Sequence, residues 1–136
     1  MKNFYKIKYE RCDYDKIKKE IDELIIKLKS TKSFNKYISI IYKINKIHKY
    51  IEEMYDYADI RNMRDLDNQF YKDEIDYWNE YKSKFDLLFI SFYEEINSSK
   101  FKDQLREVMP NNFFTIIEYQ LRLNSKVYIL KKKEKE

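Results

Sequence analysis

The chain contains no glycine, a single proline and a single cysteine in 136 residues. Without glycine there is no phosphate-cradling glycine-rich loop and no Gly-x-Ser-x-Gly nucleophile elbow. One cysteine, Cys12, excludes an intrachain disulfide and leaves no Cys-x-x-Cys pair for a structural zinc, which fits a reducing compartment. No stretch approaches the roughly 20 apolar residues of a membrane span, and "MKNFYKIKYERCD" lacks an unbroken apolar signal core. A cytoplasmic protein without a membrane partner is expected. Strand-like alternation is confined to the lead-in "FYKIKYE", and no internal repeat is visible.

What is present is charge, aromatic rings and helical periodicity. The 28 basic and 24 acidic residues are interleaved, so the net charge of +4 describes a solvated surface and not a one-sided patch for nucleic acid. Aromatic residues at 18% argue against disorder. Length fits one domain, expected over residues 1–130, with a charged, frayed tail over 131–136.

The periodicity predicts an all-α fold. Tyr14, Ile17, Ile21, Leu24, Ile25 and Leu28 share one helical face behind an Asp13 cap. After the polar break at Ser30 to Ser33, the steps of Phe34, Tyr37, Ile41, Ile44, His48, Ile51, Tyr55 and Ala58 predict a long second helix. Tyr71, Ile75, Trp78, Phe85, Phe89, Phe92 and Ile96 repeat the rhythm, so the two runs can lie antiparallel along a shared seam. A short helix ending at Pro110 follows, then another in which Phe113, Ile116, Ile117, Leu121 and Leu123 supply the apolar face. The architecture expected is a long antiparallel helical hairpin with one preceding helix and two shorter helices after it.

Candidate chemistry is sparse. His48, Glu52, Asp56 and Asp59 follow one another along the second helix, where spacing four could share a metal. A zinc site needs three protein ligands and a binuclear carboxylate site needs facing helices, so a packed or half-exposed histidine is the better reading. The acids Asp65, Asp67, Asp73, Glu74 and Asp76 sit close in sequence at a helix start and do not face one another across a substrate. Asp65 or Asp67 is expected to cap the helix, with the other acids solvated near its positive end. Cys12 and His48 form no recognised local pairing. No catalytic, cofactor-binding or metal-binding residue is assigned.

Three blocks carry a family resemblance: "YKIKYERCDYDKIKKEIDELIIKLKS", "YDYADIRNMRDLDNQFYKDEIDYW" and "SSKFKDQLREVMPNNFFTIIEYQLRLNSK". In this order they resemble the N-terminal region of oligoendopeptidase F-type zinc metallopeptidases, relatives of thimet oligopeptidase. Tyr9, Arg11 and Asp13 match the family's opening Tyr-x-Arg-Pro-Asp, with Cys12 in place of the proline. The second block resembles the family's corner between two long helices. The resemblance implies a piece of the helical wall around a peptidase's zinc, truncated before the catalytic domain. The family's His-Glu-x-x-His motif is absent, and the sole histidine could not build it. The expected function is therefore a non-catalytic segment of a peptide-hydrolysing enzyme. Its partner would be the catalytic remainder or a second copy. A stand-alone helical interaction module is the alternative.

Overall fold

The computed structural model describes residues 8–134, with side chains to residue 125. The lead-in before residue 8 and the end of the charged tail lie outside the described residues. All regular structure among the described residues is helical: α1 (Tyr14–Ser30), α2 (Phe34–Arg64), α3 (Gln69–Leu87), α4 (Ile90–Asn97), α5 (Lys102–Val108) and α6 (Phe113–Glu134). The all-α expectation holds.

Capping side chains set the starts of the long helices. Asp13 accepts from the Lys16 amide at 3.2 Å and opens α1. Ser33 does the same for α2 through the Lys36 amide. At α3 the cap is Asn68, whose Oδ1 accepts from the Tyr71 amide at 3.1 Å. Neither Asp65 nor Asp67 fills that role. Asp65 instead closes α2, its amide donating to the Arg61 carbonyl, while its own carbonyl accepts from Asn68. Three residues separate Asn68 from the amide it caps, the reach that a short side chain requires.

The 31-residue α2 is about 46 Å long at 1.5 Å per residue and forms the spine. Its partners fix the direction of the returning helices. Tyr55 stacks edge-on against Trp78, Glu52 meets Lys82, His48 meets Phe89, and Tyr37 reaches Glu95. Numbers fall along α2 as they rise along α3 and α4, so the hairpin is antiparallel and the expected seam is in place. Helix α1 packs across α2, α3 and α4, and α6 packs on α4. The core is continuous, with Trp78, Phe85, Ile21, Leu28, Ile41 and Ile44 fully enclosed.

Two features depart from the periodic reading. The run expected to continue from Tyr71 to Ile96 breaks at Leu88 and Phe89, where amides reach back three residues to Phe85 and Asp86. This tightening gives α4 its own start, with Phe89 buried at the break. In α6 the inward residues are Phe114, Ile117 and, partly, Phe113 and Leu121. Ile116 and Leu123, expected on that face, are exposed at 50% and 44%. Helix α6 therefore carries a second apolar edge outside the core, because its inner contact is chiefly with α4.

Candidate functional site

The densest polar constellation lies where the segment before α1 crosses the start of α3. Glu74, on the first turns of α3, is the buried charged residue of the core, only 5% exposed. Arg11 binds it in a fork, with Nε at 3.2 and 3.1 Å from the two carboxylate oxygens and a second guanidinium nitrogen on Oε2. Tyr9 donates to Oε1 at 2.7 Å, and its hydroxyl accepts from the Trp78 indole at 3.0 Å. Tyr77 donates to the Cys12 carbonyl, and the Arg11 guanidinium lies 4.4 Å from the centre of the Tyr77 ring. Glu74, Tyr77 and Trp78, about one turn apart on α3, thus tie the irregular segment before α1 to one helix face.

Glu74 and its partners are electrostatically matched. Burial alone would raise the Glu74 carboxyl, but hydrogen bonds from Arg11 and Tyr9 and the nearby charges of Arg11 and Arg61 hold it below the ordinary carboxylate range. The Tyr9 hydroxyl is pushed up by burial and by its bond to Glu74. The pair to Glu74 also raises Arg11. A carboxylate kept ionised and a phenol kept neutral make a poor proton-transfer pair at neutral pH. The cluster is a clasp. No buried side-chain nitrogen or oxygen among the described residues is left without a partner.

Sequence reasoning assigned Glu74 to the solvated acids at the helix start, and the structure corrects this. Its neighbours Asp73 and Asp76 do stay exposed, and Asp73 bonds Gln69 at 2.7 Å. The missing signal was long range: Glu74 is 63 residues from Arg11 and 65 from Tyr9. Arg61, at the end of α2, is likewise held among rings, 4.1 Å from the centre of Tyr71 and 5.3 Å from that of Tyr9. The stretch from 55 to 78 is thus a helix-to-helix corner.

Cys12 is buried at the same crossing, and desolvation pushes its thiol up to about 12. That is the opposite of an activated nucleophile. His48 lies half-buried on the seam, its ring edge-on to Phe89 at 4.8 Å, with Nε2 3.7 Å from Glu52. Glu52 is committed to Lys82 at 2.9 Å, and Lys82 also holds Asp86 at 2.9 Å. Desolvation, followed by repulsion from Glu52 and Asp59, raises the Asp56 carboxyl. No group of three or more His, Cys, Asp or Glu side chains among the described residues could hold a metal ion. The zinc implied by the resemblance therefore does not fit these residues.

The polar residues of this helical layer tie its own elements to one another. The chain belongs to the Peptidase M3 N-terminal domain family, whose model matches residues 4–124. Two solved structures are similar to it. An oligoendopeptidase F structure shares 25% identity over 89% of this chain, with a TM-score of 0.83. PZ peptidase A, solved with an inhibitor, shares 24% identity over 88%, also with a TM-score of 0.83, and supports the fold. The matched region spans about a fifth of either structure's length, 21% in each. No curated protein matches the chain. Among the described residues, no helix is long and apolar enough to cross a membrane.

Proposed function

We propose that the chain is a non-catalytic N-terminal helical part of an oligoendopeptidase F-like peptidase, a wall element for an enzyme that hydrolyses short peptides. The observation that carries this reading is the family match over residues 4–124. The clasp agrees with it: the residues shared with the family's opening, Tyr9, Arg11 and Asp13, all hold backbone or helix positions. The proposed partner is the catalytic remainder, in a reducing, cytoplasmic setting where a lone buried thiol stays reduced. The outward edge of α6, with Ile116, Tyr119 and Leu123 exposed at 50%, 57% and 44%, supports a partner. The test is a fluorogenic peptide assay on the purified 136-residue chain with added zinc. No turnover above background is expected, and chelator-sensitive cleavage would overturn the reading.

The continuous core with its satisfied polar groups favours a second reading, a stand-alone helical interaction module. Gel filtration with light scattering separates the two. A monodisperse, stable monomer supports the module, whereas concentration-dependent association supports a wall element lacking its cover.

A further inference from the structure

We draw no further inference here: the strongest candidate, the open groove between α1 and α2 floored by Ile17, Leu24 and Ile47, has both acidic and lysine side chains on its rim and nothing in the structure shows what covers it.

Discussion

Glu74 draws together residues that are far apart in sequence, and its ionisation state can be read in solution. Its carboxyl titrates below the usual 4.5 in the folded protein. The folded state therefore binds the proton less readily than the unfolded chain. The stabilisation is complete above about pH 4.5 and is lost as pH falls through the lowered value. Glu74→Gln should cost about 1 to 3 kcal/mol at pH 7, because it removes the charge-assisted bonds from Arg11. Thermal melts of both proteins from pH 7 to pH 3 should show the gap closing in acid. A gap that is constant with pH would mean that the Arg11 pair contributes nothing in solution. Cys12 gives a second measurement at this scale. With its thiol buried and pushed up to about 12, alkylation at pH 8 should be far slower in the folded protein than in denaturant. Equal labelling rates would contradict the packed segment before α1.

At the scale of elements, the seam between α2 and α3 should dominate stability. Trp78 and Phe85 are both 0% exposed. Replacing either with alanine should cost about 3 to 5 kcal/mol, while Asp73→Ala, at an exposed position, should cost well under about 1. Denaturant titration gives all three values, and an unmoved midpoint for Trp78→Ala would show the register of the hairpin to be wrong. Asn68→Ala should cost about 0.5 to 2 kcal/mol by uncapping α3, and Asp67→Ala much less. The reverse order would return the cap to the aspartate. The helices themselves were legible in the sequence: Ile17, Ile21, Ile25 and Leu28 are buried as their spacing requires. Met54, also buried, lay beside the expected α2 stripe. The break at Leu88 and Phe89 was not legible, because no glycine or proline marks it and the apolar rhythm passes through it unchanged.

For the whole molecule, the partner proposed above is tested at the exposed edge of α6, where Ile116, Tyr119 and Leu123 lie outside the core. Tyr119→Asp should reduce any self-association of the purified chain while leaving its melting temperature within a few degrees, since the side chain lies outside the core. Sedimentation velocity over a range of concentrations checks this, and association unchanged by the substitution would place the contact elsewhere. Periodicity alone determined the all-α class, the spine helix and most of the seam, because helical burial repeats every three to four residues and leaves its mark locally. The family resemblance was likewise carried by short ordered blocks. Only the tertiary structure decided that Glu74 is a buried ion-pair partner, that Asn68 caps α3, and that α6 turns Ile116 and Leu123 outward. Each depends on which distant segment arrives beside a residue, and burial by a distant partner leaves no period in the sequence around it.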